Sequence, residues 1–236
     1  MRPRRFVIAG CGRSGTTYMA RVLSDLGCAC GHEAYFPSLE RKGPFFFSPR
    51  HRFRVRALMA AWAMPPWGEA AWQAAPFIRF LPRGTMVFHQ VRNPLAFIKS
   101  RQKKGLTFIP FRTRYCPVPA GCRDEAGFAA LPPAQQAAYL AEFWVQWNRM
   151  IERAAGCGRF GYMRYRIEDV DAGHVGRMLE TIRCPCPAEA VQRVIAGTER
   201  TLHSLGLPET DVTPDMLPAA TREALRKLAA EYGYRI

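Results

Sequence analysis

Residue types suited to binding a phosphate group follow a short apolar segment near the amino terminus. Residues 6–9 form a buried-type apolar run with β-branched side chains, and a glycine-rich turn follows over residues 10–15. From Thr16 onward the apolar residues recur with helical spacing until Gly27, a typical helix stop. A strand, a glycine turn and a helix N terminus in this order predict an anion-binding loop, because backbone N–H groups and the helix dipole point at the turn.

The loop differs from the usual nucleoside-triphosphate loop at one decisive position. The nucleoside-triphosphate pattern is G-x-x-x-x-G-K-[ST], in which the lysine contacts the β- and γ-phosphates. When Gly10 and Gly15 are aligned with its two glycines, Thr16 replaces the lysine and Thr17 stands at the hydroxyl position. Arg13 is the only cation of the loop. Because a loop without the lysine is poorly suited to stabilising a γ-phosphoryl transition state, this pattern argues against a kinase or nucleoside triphosphatase.

The loop sequence Gly-Cys-Gly-Arg-Ser-Gly-Thr-Thr resembles the 5′-phosphosulfate loop of sulfotransferases that use 3′-phosphoadenosine-5′-phosphosulfate (PAPS). The Arg-Ser-Gly-Thr-Thr form is similar to bacterial and carbohydrate-type members. The resemblance implies PAPS as the cofactor and adenosine 3′,5′-bisphosphate as its product. It also implies that the 5′-phosphosulfate is bound by Gly12, Arg13, Ser14, Gly15, Thr16 and Thr17. Arg13 and its neighbours would then offset the charge that builds on the bridging oxygen as the S–O bond breaks.

A second motif supports the resemblance. Residues 86–91 are predicted to form a buried strand, followed by Asn93 as a good helix N-cap and Pro94 as a good first helical residue. Arg92 therefore ends the strand, and Ser100 lies about two turns into the helix. Val-Arg-Asn-Pro-x5-Ser resembles the family's site for the 3′-phosphate of PAPS, which implies that Arg92 and Ser100 contact that phosphate.

Gly31-His32-Glu33 places an ionisable pair directly after the first predicted helix. A hydroxyl or amine acceptor loses a proton as it attacks, so a carboxylate or imidazole within reach could act as the general base. The resemblance to bacterial sulfotransferases favours Glu33, with His32 as the alternative base. The structural alternative is that Glu33 only caps or pairs near a strand end. His89, inside the second predicted strand, is expected to be a buried, hydrogen-bonded structural residue.

These motifs are expected to lie in a single α/β domain over residues 1–236, with a mostly parallel central sheet flanked by helices. The resemblance implies a fold like that of P-loop nucleotide kinases. A further strand is predicted over residues 159–166. Further helices are predicted from residue 133 onward, around residues 175–182, and over residues 188–196 and 219–232. Residues 36–80 and the loop-like segment 105–131 are interpreted as insertions that line the acceptor pocket or form a lid.

Composition limits the alternatives. A hydrophobic content of 48% is typical of a globular chain, and the net charge of +15 suits an anionic partner. The 34 lysines and arginines are spread along the chain, which disfavours nucleic acid as the partner. The positive charge fits a basic cleft for PAPS, and the alternative is that genomic composition accounts for part of the excess arginine. The sequence shows neither a signal-peptide pattern nor a transmembrane segment, so a cytoplasmic location is expected. The eight cysteines lack zinc-site spacing, and we expect reduced thiols and no metal.

The predicted reaction is transfer of a sulfuryl group from PAPS to a hydroxyl or amine of a small-molecule, glycan or lipid acceptor. The sequence does not choose among these acceptors or predict an oligomeric state. Two alternatives from other classes stay open. One is a P-loop kinase-like nucleotide-binding protein, and the other is a non-catalytic basic protein that binds polyanions.

Overall fold

A computed structural model describes residues 4–36, 68–103, 125–199 and 212–236. Within these ranges five strands form one parallel sheet. They are β1 (Phe6–Gly10), β2 (Cys30–His32), β3 (Gly68–Ala70), β4 (Met86–Val91) and β5 (Gly161–Arg166). The strand order across the sheet is β2-β3-β1-β4-β5.

Helices flank the sheet, so the expected α/β class is confirmed. In the described residues the α-helices are α1 (Thr16–Asp25), α2 (Pro94–Lys103), α3 (Glu125–Ala129), α4 (Pro133–Ala155), α5 (Ala172–Thr181), α6 (Ala188–Gly197) and α7 (Ala219–Glu231). Short 3₁₀ helices occupy Trp72–Phe80, Ile167–Asp169 and Pro214–Met216. None of the helices described here is long and apolar enough to cross a membrane.

Strand β1 lies at the centre of the sheet. It pairs in parallel with β3 on one side and with β4 on the other, with Gly10 opposite Gln90. All residues of β1 and β4 are buried, as expected for strands covered on both faces. After β1 the chain forms β2 and β3 on one side of β1, and then β4 and β5 on the other side. The carboxyl end of β1 is therefore a topological switch point, the usual ligand position in open α/β sheets. The loop over residues 10–15 lies there.

The chain divides into two compact units. The first comprises Met1–Gln90 and Met150–Leu202, and the second comprises Val91–Arg149 and His203–Ile236. In the first unit, buried residues of α1, α5 and α6 pack into one apolar cluster with those of β1. In the second unit, the ring of Phe143 stacks on Phe97 and on Trp147, with centroids 6.1 and 5.0 Å apart. A single domain over residues 1–236 stays a prediction.

The predicted strand over residues 86–91 and the predicted helix start at Asn93 and Pro94 are both confirmed. Strand β4 covers the predicted residues, and Oδ1 of Asn93 accepts hydrogen bonds from the backbone N–H groups of Leu95 (2.9 Å) and Ala96 (3.2 Å). These are the N2 and N3 groups that an N-cap side chain normally satisfies, and Pro94 begins α2.

Two predicted insertions fall partly outside the described residues. Of the segment 36–80, residues 37–67 are not described, while residues 68–80 form β3 and a 3₁₀ helix. Of the segment 105–131, residues up to 124 are not described. The expectation of loop structure is wrong for residues 125–129, which form α3. A role of either segment as acceptor pocket or lid stays a prediction.

Two cysteines differ from the expected reduced state, since Cys28 and Cys184 form a disulfide. Each follows a helix end that turns through a left-handed residue, Gly27 with φ +80° after α1 and Arg183 with φ +58° after α5. Each cysteine N–H then donates to a carbonyl of the last helical turn, in both cases at 2.9 Å. The two cysteines meet where α1 and α5 pack in the same apolar cluster. A cytoplasmic location stays a prediction.

Candidate functional site

The loop between β1 and α1 has the backbone of an anion-binding turn. The N–H of Ser14 donates to the carbonyl of Cys11 at 3.0 Å, which folds the loop back on itself. Arg13 and Gly15 both have left-handed φ angles, +77° and +94°. Gly15 is the N-cap of α1 and brings no side chain to cap the first turn of the helix. The first N–H groups of α1 are therefore without the side-chain cap that usually satisfies them.

Glycine is required at the start of this loop because the chain packs closely there. A Cβ atom on Gly10 would lie 2.3 Å from the carbonyl oxygen of Gln90 and 2.7 Å from Oγ of Ser14. Real Cβ atoms do not approach backbone oxygens so closely. The absence of a side chain at Gly10 thus lets the start of the loop pack directly against the end of β4.

A buried glutamine connects the sheet to the loop. Gln90 is fully buried at the end of β4, and its Nε2 donates to the carbonyl of Ser14 at 2.5 Å. Its Oε1 accepts a hydrogen bond from the hydroxyl of Tyr165 on β5, also at 2.5 Å. Burial raises the pKa of Tyr165 well above its ordinary value, so the phenol keeps the proton that it donates. This relay fixes the Ser14 carbonyl from two strands of the sheet.

The side chain of Ser14 is the one buried polar group of the loop that lacks a hydrogen-bond partner among the described residues. Its exposed fraction is 1%, and Oγ makes no hydrogen bond. A buried hydroxyl without a partner costs about 1–3 kcal/mol relative to a satisfied one. A bound oxyanion in the cradle would accept a hydrogen bond from this hydroxyl and remove that cost.

The structure brings His32 to the threonines of the loop. His32 ends β2, and its Nε2 lies 3.0 Å from Oγ1 of Thr17 and 3.3 Å from Oγ1 of Thr16, within hydrogen-bond distance. The predicted base candidates are therefore next to the predicted phosphosulfate loop. The imidazole of His32 contacts the hydroxyls of Thr16 and Thr17. The other base candidate, Glu33, makes different side-chain contacts.

Glu33 lies beside His32 in a turn after β2. Its Oε1 is 3.9 Å from Nε2 of His32, and its Oε2 accepts a hydrogen bond from Nε2 of Gln73 at 3.3 Å. Glu33 has a left-handed φ of +48°, and its N–H donates to the carbonyl of Ala70 at 3.2 Å. Its side chain is 33% exposed, so the carboxylate is both held by contacts and accessible to a substrate.

Arg92 and Ser100 belong to the second unit. Both are half-buried, and the backbone carbonyl of Arg92 accepts a hydrogen bond from Nε1 of Trp144 at 3.1 Å. Arg92 follows β4 directly and Ser100 lies within α2, as predicted. That these two residues and the loop bind one ligand together stays a prediction.

Four polar residues of the first unit were not among the sequence candidates. They are Glu69, Gln73, Gln90 and Tyr165, all of them buried. The available signal was a polar side chain inside an otherwise apolar segment, as at Gln90 in Met-Val-Phe-His-Gln-Val. His89 in the same strand is fully buried, with Nδ1 2.8 Å from the hydroxyl of Tyr162, which confirms the expected structural histidine.

No protein-family model matches this chain, and no curated protein matches its sequence. In the part of the chain that the structure describes, no group of three or more His, Cys, Asp or Glu residues is placed to hold a metal ion. The described residues bring together a glycine-containing turn, an uncapped helix start and a partly exposed carboxylate. Such an arrangement can bind an anionic group and accept a proton next to it.

Proposed function

We propose that this protein is a PAPS-dependent sulfotransferase that transfers a sulfuryl group to a hydroxyl or amine of a small-molecule, glycan or lipid acceptor. The observation that carries the proposal is the contact of His32 with Thr16 and Thr17, because Oε1 of Glu33 lies 3.9 Å from the same imidazole nitrogen. The proposal includes a fold of the P-loop nucleotide-kinase type. The central position of β1, between β3 and β4 with the loop at its carboxyl end, supports that fold.

The loop residues suit a phosphosulfate group. Gly10 lets the loop pack against β4, Ser14 Oγ lacks a partner among the described residues, and α1 begins without a capping side chain. Arg13 adds the positive charge and sits in the left-handed region, a conformation that costs about 1–2 kcal/mol and is common at binding sites. The lysine that a γ-phosphate requires is absent from the loop.

When bound, PAPS supplies the sulfuryl group, and its S–O bond to the 5′-phosphate breaks as the acceptor oxygen or nitrogen bonds to sulfur. Glu33 accepts the proton that the acceptor loses. The N–H groups of the loop and the Arg13 guanidinium bind the charge that develops on the oxygen of the leaving phosphate. His32 keeps the Thr16 and Thr17 hydroxyls in place through its Nε2.

In this proposal Arg92 and Ser100 bind the 3′-phosphate. Arginine is well suited to this task, since its guanidinium can donate two parallel hydrogen bonds to a phosphate. A 3′-phosphate distinguishes PAPS from ATP and from adenosine 5′-monophosphate. Recognition of that group is therefore the feature that separates a sulfotransferase from a kinase-like nucleotide-binding protein.

Calorimetric titration with adenosine 3′,5′-bisphosphate tests the proposal, with adenosine 5′-monophosphate and ATP as controls and with or without magnesium. We expect tight binding that depends on the 3′-phosphate and does not require magnesium. Equal binding of the three nucleotides would contradict the proposal. Magnesium-dependent ATP binding would favour the kinase-like alternative, and salt-sensitive binding of any polyanion would favour the non-catalytic one.

A further inference from the structure

We propose that Glu69 is a positioning residue for Glu33, because its buried carboxylate fixes the turn that carries the proposed base. The inference rests on the proposed function of Glu33. It assigns to the chain a second carboxylate that serves the reaction without touching a substrate.

The sheet places Glu69 next to this turn. Strands β2 and β3 pair in parallel, with Gly31 opposite Glu69 and His32 opposite Ala70. The exposed fraction of Glu69 is only 1%. Its Oε1 accepts hydrogen bonds from the backbone N–H groups of Tyr35, at 2.8 Å, and Phe36, at 3.3 Å. The chain segment just after Glu33 is thus bound to β3 through this one side chain.

Glu33 is fixed on both sides by β3. Its own N–H donates to the carbonyl of Ala70, and the N–H groups two and three residues later donate to Glu69. Between these two attachments the backbone of Glu33 takes a left-handed φ of +48°. A non-glycine residue keeps such a conformation only when surrounding contacts determine it. Loss of the Glu69 contacts would let the turn relax and move the Glu33 carboxylate.

Glu69 is not itself a suitable base. Burial raises its pKa above the ordinary value, and the charge of Glu33 acts in the same direction, while the hydrogen bonds from Tyr35, Phe36 and Ala34 lower it. With so little exposed surface, its carboxylate cannot reach an acceptor. Its oxygen already accepts backbone N–H groups, so its contribution to the reaction is the position of Glu33.

Two substitutions separate the charge from the contact. Glu69→Gln keeps a side-chain oxygen that can accept both N–H groups, but it loses the stronger charge-assisted bonds. Glu69→Ala removes the acceptor altogether. Glu180→Gln, at an exposed position on α5, is the matched control. Sulfuryl transfer from PAPS to an acceptor used by the wild type, affinity for adenosine 3′,5′-bisphosphate and backbone hydrogen exchange at residues 34–36 are measured for all of them.

We expect kcat of Glu69→Ala to fall by roughly tenfold to a hundredfold, the effect of a displacement near 1 Å at a reacting group. Affinity for adenosine 3′,5′-bisphosphate should not change, exchange at residues 34–36 should become faster, and Glu69→Gln should be intermediate. Glu180→Gln should behave as wild type. If Glu69→Ala does not fold, the same measurements on Glu69→Gln test whether Glu69 positions Glu33.

If the wild type is active and the Glu69 variants have the same kcat or the same hydrogen exchange as the wild type, this inference is wrong. The proposed function is then unaffected. An equal loss of bisphosphate affinity also overturns it, because a general disturbance of the fold would explain such a loss. A wild type that neither binds the bisphosphate nor transfers a sulfuryl group overturns the proposed function and the inference together.

Discussion

Gln90 donates a hydrogen bond from its side-chain Nε2 to the backbone carbonyl of Ser14, which joins the end of β4 to the loop between β1 and α1. The other end of the same amide accepts from Tyr165. Since amide nitrogen only donates and amide oxygen only accepts, Tyr165 and Ser14 together fix the orientation of Gln90. The shape of the loop therefore depends on a side chain two strands away from β1.

We predict that Tyr165→Phe weakens the binding of adenosine 3′,5′-bisphosphate. The substitution leaves Oε1 of Gln90 buried without its donor, and Gln90 becomes free to turn away from Ser14. The unpaired amide oxygen should also destabilise the fold by about 1–3 kcal/mol. Calorimetry and thermal unfolding measure the two effects.

Tyr162→Phe is the matched control for this substitution. It also removes a hydroxyl of β5 that contacts a residue of β4, in this case Nδ1 of His89 at 2.8 Å instead of the side-chain amide of Gln90. We expect a loss of stability without a loss of affinity. Equal losses of affinity in both variants would show that the Gln90 relay has no special effect on the loop.

We predict that Gly10→Ala abolishes nucleotide binding and destabilises the protein. A Cβ atom 2.3 Å from the Gln90 carbonyl forces either β4 or the loop to move, and backbone on both sides leaves little room for it. Gly176→Ala on α5 is the control, because a Cβ atom meets nothing within 4 Å there. In a helix that change should stabilise by roughly 0.5–1 kcal/mol. Bisphosphate binding by a folded Gly10→Ala variant would contradict the cradle geometry.

The local parts of this fold follow from the sequence. The strand, glycine turn and helix at residues 6–25 depend on neighbouring residues, as does the Asn93 cap, and each was predicted with nearly the observed ends. The buried face of α4 is another such case. Helical spacing marks this face in the sequence as Leu140, Phe143, Trp144, Trp147, Met150, Ile151 and Ala154. Five of these residues are at most 1% exposed, while Met150 and Ala154 are half-buried.

The parts that were not predicted depend on residues far apart in the chain. Strand β3 has only three residues, too few for a periodic pattern, and the sheet alone gives it its place. The Gln90–Tyr165 relay joins residues 75 apart, and the Cys28–Cys184 bond joins residues 156 apart. No local pattern marks such partners. Glu69 illustrates the same limit, because its carboxylate accepts hydrogen bonds from backbone groups that lie 33 and 34 residues earlier.

We predict that substitutions of Glu33 and His32 affect different steps. Glu33→Gln keeps the shape of the side chain but cannot accept a proton, so turnover should fall by roughly a hundredfold or more while bisphosphate affinity is retained. His32→Ala removes the contacts to Thr16 and Thr17 and should weaken that affinity. Steady-state kinetics and calorimetry separate the two steps. Near-normal turnover of Glu33→Gln would exclude Glu33 as the base and make His32 the candidate.

We predict that Arg92→Ala reduces discrimination between adenosine 3′,5′-bisphosphate and adenosine 5′-monophosphate. Loss of a charged hydrogen bond to phosphate should weaken bisphosphate binding by about 1.5–3 kcal/mol and leave monophosphate binding unchanged. Turnover at saturating PAPS should change much less than affinity. Arg226→Ala, at an exposed position on α7, controls for the loss of one positive charge. Unchanged discrimination in Arg92→Ala would remove Arg92 from the proposed 3′-phosphate site.

We predict that reduction of the Cys28–Cys184 disulfide lowers the thermal midpoint of unfolding. The bond closes a loop between residues 156 apart, and chain-entropy estimates for loops of this size give about 4–5 kcal/mol. For a chain of this length that corresponds to roughly 10 °C. Thermal unfolding with and without a dithiol tests the wild type, and Cys28→Ser should show a low midpoint under both conditions. Cys157→Ser is the control, because Cys157 is an exposed free cysteine. Equal midpoints of oxidised and reduced wild type would contradict a stabilising bond. Recovery of Cys28 and Cys184 as free thiols from unreduced protein would contradict the bond itself.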